Sequence, residues 1–303
     1  DITTTADQIQ FVSATTLATN AVALISAGGV VRFDSTLNGG QDLTITAGAG
    51  NVTFTGAVGG TARLGTLNIV TAGNVGAGAL TLAAFDQDAG TGTTTFGGTV
   101  NTNTSAGVSV INTNLAVNAA VQTASSGVVT FTQSGTTVIA AAGDIVSDGA
   151  VTITSAGLTT SGDITTTADQ IQFVSATTLA TNAVALISAG GVVRFDSTLN
   201  GGQDLTITAG AGNVTFTGAV GGTARLGTLN IVTAGNVGAG ALTLAAFDQD
   251  AGTGTTTFGG AVNTSAAAGV VVANTNLAVN AGVTTASNGV VTFTQSGTTV
   301  IVA

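Results

Sequence analysis

The feature that most constrains this chain is an internal repeat without substitutions. Residues 1–98 recur letter for letter as residues 163–260, a translation of 162 positions. The following residues, 99–141, match residues 261–303 with ten differences. A fixed period is typical of structures that stack one unit on the next. We therefore predict two tandem copies, 1–162 and 163–303, that form a continuous rod without a linker.

Composition limits both the core and the possible partners. The chain contains no Glu, Lys, His, Cys, Met, Pro, Trp or Tyr, and 44% of its residues are apolar against 6% charged. It can therefore bury a core of Val, Ile, Leu, Ala and Phe under a surface of Thr, Ser, Asn and Gln. A net charge of −10 with four Arg residues argues against nucleic acid. No apolar run is long enough to predict a membrane-spanning helix.

Short segments alternate between apolar residues and threonine. The clearest are 43–46, 52–55, 129–132 and 151–154. A period of two places the apolar side chains on one face of a strand and the threonines on the other. Glycine-bearing stretches such as 47–51 separate these strands, because Gly and Asn adopt the positive φ angles of tight corners.

The apolar centres of these strands recur about every 21 residues. This spacing predicts an all-β fold, a right-handed parallel β-helix or β-solenoid with 20–22 residues per turn and two or three strands in each turn. We read two rows of stacked centres from the sequence: Phe11, Phe33, Phe54, Val75 and Phe96, then Phe131, Ile153 and Phe173.

The step of 35 residues from Phe96 to Phe131 breaks this spacing. It predicts an excursion off the coil at 97–130, repeated at 259–292, and either seven or eight turns in each 162-residue unit. Nine of the ten differences between the copies lie within residues 99–126. The excursion either tolerates drift because few contacts depend on it, or presents a variable surface that binds a glycan or a protein.

Several of these strand segments resemble the filamentous-haemagglutinin-type repeats of large bacterial exoproteins and adhesins. The segments are 9–11, 28–33, 50–56 and 67–69, and the resemblance extends over the whole chain. It implies a right-handed parallel β-helix, export to the cell surface and a role in adhesion or matrix building.

The residues that carry most enzyme chemistry are missing, so we predict no catalytic site and no enzyme activity. Arg32 and Asp34 lie two apart on one strand, which predicts an exposed ion pair. The candidates for calcium binding are Asp86 and Asp88 with their equivalents Asp248 and Asp250. They lack the third ligand and distal Glu of an EF-hand, so solvated corner aspartates are the alternative. No other metal or cofactor is predicted.

Threonine pairs could order water as in ice-binding proteins if they stacked on one flat face. Thr44 and Thr46 are nine residues from Thr53 and Thr55, less than half a turn, which predicts that the two pairs lie on different faces.

These inferences lead to one functional prediction and one alternative. The prediction is a structural repeat module of a secreted extracellular filament, sheath or giant surface protein that associates with itself end to end. The alternative is an adhesin module whose excursions recognise a surface glycan, matrix component or protein. Neither prediction involves nucleic acid or a membrane span.

Overall fold

In the computed structural model, which describes residues 1–302, the chain is built from 39 short β-strands, and these residues contain no helix. The strands fall into two compact units. Unit 1 comprises residues 1–150 and 154–156, and unit 2 comprises residues 151–153 and the chain from 157 onward. Strands repeat at steps of about 21 residues and pair in parallel, so the prediction of an all-β parallel solenoid is confirmed.

The strands of the first half of the chain are β1 (Ile2–Thr3), β2 (Ile9–Phe11), β3 (Thr15–Thr16), β4 (Val22–Ile25), β5 (Val31–Phe33), β6 (Leu37–Asn38), β7 (Leu43–Thr46), β8 (Val52–Phe54), β9 (Leu64–Thr71), β10 (Val75–Ala77), β11 (Leu80–Gln87), β12 (Thr93–Phe96), β13 (Val100–Thr102), β14 (Val108–Asn112), β15 (Asn114–Val117), β16 (Val121–Thr123), β17 (Val129–Gln133), β18 (Thr136–Ile139) and β19 (Ile145–Ser147).

The strands of the second half are β20 (Val151–Thr154), β21 (Gly157–Thr160), β22 (Ile164–Thr166), β23 (Ile171–Phe173), β24 (Thr177–Leu179), β25 (Val184–Ile187), β26 (Val193–Phe195), β27 (Leu199–Asn200), β28 (Leu205–Thr208), β29 (Val214–Phe216), β30 (Leu226–Thr233), β31 (Val237–Ala239), β32 (Leu242–Gln249), β33 (Thr255–Phe258), β34 (Val262–Thr264), β35 (Val270–Asn274), β36 (Asn276–Val279), β37 (Val283–Thr285), β38 (Val291–Gln295) and β39 (Thr299–Ile301).

Three parallel ladders make up unit 1, because each turn contributes three strands. Ladder A contains β1, β4, β7, β9, the second half of β11, β14 and β17. Ladder B contains β2, β5, β8, β10, β12, β15 and β18. Ladder C contains β3, β6, a bridge at Val58, the first half of β11, β13, β16 and β19. Each ladder has seven levels, so unit 1 has seven turns.

Unit 2 has the same three ladders by sequence equivalence. Ladder A contains β22, β25, β28, β30, the second half of β32, β35 and β38. Ladder B contains β20, β23, β26, β29, β31, β33, β36 and β39. Ladder C contains β21, β24, β27, a bridge at Val220, the first half of β32, β34 and β37. Unit 2 therefore also has about seven turns.

Aromatic rings stack along ladder B. Phe11 pairs with Phe33 and Phe33 with Phe54, and the ring centroids are 4.6 Å and 5.3 Å apart with nearly parallel planes. Offset stacking of this kind adds to the free energy of burial. The next residue in this row is Ala77 and not Val75 as predicted, because Val75 pairs with Val52. The step from Phe54 to Ala77 is 23 residues and the step from Ala77 to Phe96 is 19. A constant step of 21 residues therefore places this member of the row two residues too early, at Val75.

The predicted excursion at 97–130 and 259–292 is wrong. These residues form β13 to β17 and β34 to β38, and they stack in register like the rest of each unit. Phe96 belongs to ladder B, whereas Phe131 belongs to ladder A. The step of 35 residues joins two different ladders, so no extra chain has to leave the coil. Each turn has three strands. Residues 1–162 contain the seven turns that end at β19, followed by only β20 and β21. The 162-residue repeat is therefore not a whole number of turns, and neither seven nor eight is correct.

Asparagine side chains connect the corners that precede ladder B. Asn51 Oδ1 accepts the backbone N–H of Asn74 at 2.8 Å, and Asn74 Oδ1 accepts that of Thr93 at 2.8 Å. Each amide therefore satisfies a backbone donor of the next turn that would otherwise lack a partner. Asparagines at equivalent corners of successive turns thus form a short ladder along the axis.

The interior also contains polar pairs that the sequence analysis did not predict. Gln87 and Thr94 are fully buried, and the Thr94 hydroxyl donates to Gln87 Oε1 at 2.6 Å. Thr137 donates in the same way to Gln133 Oε1 at 2.7 Å. These bonds lower the cost of placing a polar side chain inside the coil. The core is therefore not purely aliphatic and aromatic.

Candidate functional site

The ion pair predicted between Arg32 and Asp34 is present on the outer face of ladder B. Arg32 Nε donates to Asp34 Oδ1, and Gln10 Nε2 of the preceding turn donates to Asp34 Oδ2 at 2.5 Å. The hydrogen bond from Gln10, followed by that from Arg32, lowers the pKa of the Asp34 carboxyl. Half of the Arg32 side chain is exposed. The network links two turns at the surface, and unit 2 repeats it with Arg194 and Asp196.

Arg63 has no acidic partner and instead hydrogen-bonds to carbonyl oxygens of two later turns. Its Nη1 donates to the Leu82 carbonyl at 2.5 Å and to the Asn101 carbonyl at 3.1 Å, and its Nη2 donates to Asn101 Oδ1 at 2.7 Å. A planar guanidinium is suited to such multiple donation. The side chain therefore clamps three successive turns, and Arg225 makes the same contacts in unit 2.

The calcium candidates lie together in pairs at the end of one strand. Asp86 faces outward on β11 and Asp88 follows it at an exposed corner, and Asp248 and Asp250 are placed alike on β32. Partial burial, and then the charge of Asp250, raise the pKa of Asp248. No group of three or more acidic side chains suited to a metal occurs among residues 1–302. Calcium binding by these pairs stays a prediction.

Other aspartates bond to the backbone of the neighbouring turn. Asp42 Oδ1 accepts the Thr66 N–H at 2.7 Å, and Asp1 Oδ1 accepts the Ala23 N–H at 2.9 Å. These carboxylates accept from strand residues of β9 and β4 in place of a backbone carbonyl. Asp1 and Asp42 thus bridge turns. That the protein is not an enzyme stays a prediction from residue types alone.

The threonine pairs lie on different faces, as predicted. Thr44 and Thr46 are on β7 of ladder A, whereas Thr53 is on β8 of ladder B. Outward neighbours on ladder B are mixed, since Arg32 is followed by Thr53 and Gly76. The strands therefore lack the regular threonine rows of an ice-binding face.

The ten positions at which the two copies differ all lie outside the buried interior. None of them is buried in either copy. In β14, for example, Ser109 and Ile111 face outward and are replaced by Val271 and Ala273, whereas Val110 between them is fully buried and identical to Val272. Close packing restricts the interior side chains, and the outer face has no such restriction.

An exposed apolar surface lies on the last described turn. Its inward-facing residues, which we call the open rung, are Val291, Phe293 and Ile301. Val291 and Ile301 are 48% and 66% exposed, whereas their equivalents in the first copy, Val129 and Ile139, are 0% and 1% exposed. The first turn shows the same difference, since Ile2 is 42% exposed and its equivalent Ile164 is buried. In both cases the equivalent internal side chain is buried.

The sequence analysis predicted end-to-end association but missed the arginine clamp. Arg63 is recognised only from the pairing of turns, because its partners lie 19 and 38 residues away. The described residues contain no helix long and apolar enough to cross a membrane. Comparisons with protein-family models, with curated proteins and with solved structures found no match. The resemblance to filamentous-haemagglutinin-type repeats therefore stays a prediction beyond the β-helix fold.

Proposed function

We propose that this chain is a structural repeat module of an extracellular filament, sheath or giant surface protein, and that it associates with itself end to end. The observation that carries the proposal is the regular parallel stacking of turns, in which strands pair in register and bury their inward side chains. Inward side chains that are fully buried in the first copy are uncovered at the equivalent positions of the second. Burying apolar surface is favourable in proportion to its area, and unpaired strand edges readily accept a further strand.

The natural occupant of the open rung is another solenoid turn, either a further repeat or a second copy of this chain. Such a turn offers inward Val, Ile and Phe residues and a parallel strand edge at the spacing of about 4.8 Å found in sheets. The residue types support a mechanical role, since the groups of most enzyme active sites are missing. An extracellular location is part of the proposal and rests on the resemblance to exoproteins.

Two variants of one strand test end-to-end association. Ile301→Asp places a charge on the open rung, whereas Val300→Asp places the same charge on the outer face. Val300 is the matched control because its equivalent Val138 is 43% exposed even within the first copy. We expect the purified 303-residue chain and Val300→Asp to elongate in light scattering and electron microscopy, and Ile301→Asp to remain short. A monodisperse monomer for the unmodified chain, or equal behaviour of the variants, would contradict the proposal.

The second candidate function is adhesion through the outer face. It is favoured by the restriction of all ten differences between the copies to positions that are not buried. To separate the functions, the outward residues of the first copy can be exchanged for those of the second, beginning with Ser109→Val and Ile111→Ala. Loss of binding to cells or glycan arrays with unchanged elongation would favour adhesion. Unchanged binding would favour the purely structural role.

A further inference from the structure

One corner of unit 2 carries an asparagine followed by glycine in an exposed two-residue turn. The turn joins β37 to β38, and Ser287 and Asn288 have φ angles of 52° and 57°. The Gly289 N–H donates to the Ala286 carbonyl at 2.8 Å. Two consecutive left-handed residues closed by this bond have the geometry of a type I′ turn. Asn288 is exposed, and its side chain makes no hydrogen bond within the described chain.

The other Asn-Gly pairs of the chain are held by the neighbouring turn. Asn38 lies on β6, and its Oδ1 accepts the N–H groups of Thr61 at 2.9 Å and Ala62 at 3.3 Å. The Gly39 N–H donates to the Ala62 carbonyl at 3.2 Å. Asn200 and Gly201 repeat these contacts in unit 2. Neither side chain can reorient without breaking bonds between turns.

We propose that Asn288 is a site of spontaneous deamidation that distinguishes the second copy from the first. The backbone nitrogen of Gly289 attacks Cγ of Asn288, the Cγ–Nδ2 bond breaks, and the displaced nitrogen leaves as ammonia with the proton of the Gly289 amide. Water then opens the resulting succinimide ring to give aspartate or isoaspartate. The reaction needs no oxidant or enzyme. Glycine favours it because no side chain hinders the approach of its nitrogen.

The turn makes this attack accessible, because only one local hydrogen bond must break to free the Gly289 nitrogen. At Asn38 the side-chain bonds to Thr61 and Ala62 must break as well. Breaking these additional bonds lowers the reactive population at Asn38 by about tenfold or more. We therefore expect Asn288 to react at least about tenfold faster than Asn38 and Asn200 in the folded protein.

The product would alter a tightly packed corner. A side-chain atom on Gly289 would lie 2.9 Å from the Ala266 carbonyl oxygen and 3.0 Å from Cβ of Thr285, so this backbone has no free space. Isoaspartate adds a methylene group to the main chain and a negative charge. The bond from the Thr285 hydroxyl to the Gly289 carbonyl, 2.8 Å long, would be displaced. Deamidation is therefore expected to loosen the pairing of β37 with β34 and of β38 with β35 in the preceding turn.

Peptide mapping by mass spectrometry of the intact 303-residue protein, aged at mildly alkaline pH, tests the proposal. The Asn288 peptide is unique because the first copy has Ser126 at this position, whereas the Asn38 and Asn200 peptides are identical and report together. We expect faster conversion at Asn288 in the folded protein and similar rates at all three sites in denaturant. Equal or slower conversion of Asn288 in the folded protein would overturn the proposal.

Two substitutions test whether the turn conformation, and not the location in the second copy, causes fast deamidation. Asn288→Ser restores the residue of the first copy and should abolish the signal while preserving the fold. Ser126→Asn places Asn-Gly in the matching turn of unit 1, where Ser125 and Ser126 have φ angles of 56° and 59° and the Ser126 N–H donates to Asp148 Oδ2 at 2.7 Å, which leaves the Gly127 nitrogen in its local bond to Ala124. This new site should also convert faster than Asn38. If it converts as slowly as Asn38, the turn conformation is not the cause and the assignment fails.

Discussion

Replacing Phe33 with alanine should open the coil locally and leave distant turns intact. Phe33 is 2% exposed, and its ring lies between those of Phe11 and Phe54, with centroid separations of 4.6 Å and 5.3 Å. Truncation therefore creates a cavity at one level and removes two stacked ring pairs. Because each turn of a solenoid contacts only its neighbours, the cost is confined to adjacent turns.

The magnitude follows from the buried ring. A Phe→Ala change in a core costs about 3–5 kcal/mol, which includes the cavity, and each ring pair accounts for about 0.5–1.5 kcal/mol of it. At 1.4 kcal/mol per factor of ten, the opening equilibrium of β5 should rise by about a hundredfold to several thousandfold. Thr53→Ala is the matched control, since Thr53 lies in register with Arg32 on the outer face of the next turn.

Hydrogen exchange read by mass spectrometry measures this opening with an internal reference. Peptides from residues 1–98 and 163–260 are identical in the unmodified chain, so their signals coincide. The peptide that carries Phe33→Ala has a different mass from its twin containing Phe195, and both copies can be followed in one sample. We expect fast exchange in the substituted peptide and unchanged exchange in the twin. A rise of less than about tenfold, or an equal rise in the twin, would refute the reasoning.

Four further predictions concern corners, charge, calcium and proteolysis. Ala27→Gly should raise the free energy of unfolding by up to about 1 kcal/mol, because Ala27 has a φ of 48°. Gly48→Ala should lower the free energy of unfolding, since Gly48 has a φ of 61° and an added Cβ would lie 3.0 Å from the Gly28 nitrogen. Urea unfolding measures both changes. Burial and the charge of Asp250 raise the folded-state pKa of Asp248, so its ionised form destabilises the fold. At neutral pH, Asp248→Asn should therefore unfold at a higher urea concentration than the unmodified chain. This difference should shrink as the pH falls through the raised pKa and vanish below the ordinary carboxyl pKa. If the aspartate pairs bind calcium, millimolar calcium should raise the unfolding temperature of the unmodified chain but not that of a variant with Asp88→Asn and Asp250→Asn. An unchanged unfolding temperature in both proteins would count against the calcium site. Trypsin should leave the folded chain intact, because Arg32 lies on β5 and Arg63 is tied to two later turns; rapid cleavage at either residue would contradict these contacts.

The fold could be predicted because repeat length and side-chain alternation are both local properties of the sequence. The row Phe11, Phe33 and Phe54 follows from them directly. The step from Phe96 to Phe131 was misread as an excursion because inward phenylalanines occur on more than one ladder, and residue type alone does not identify the ladder. Val75 was misplaced because the step into β10 is longer than the mean. Variation in corner length is therefore the main limit on register prediction.

The site was less predictable than the fold. The surface pair of Arg32 and Asp34 could be predicted because its members are two residues apart on one strand. The clamp of Arg63 depends on which backbone carbonyls the coil brings near it, and those belong to turns that are distant in sequence. The open rung needed both a predicted coil and a comparison of equivalent residues in the two copies.

Because the interior of the coil is unchanged between the copies while the exterior varies, outward side chains can be replaced at fixed spacings without altering the core. Outward positions such as Ser109 and Thr130 are paired in register on consecutive turns, and strand spacing sets their separation at about 4.8 Å along the ladder. A chemical group introduced at such positions would recur on a one-dimensional lattice fixed by the backbone. The chain could thus hold dyes, mineral-nucleating groups or sugars at defined intervals, with the spacing chosen by the number of turns between substitutions.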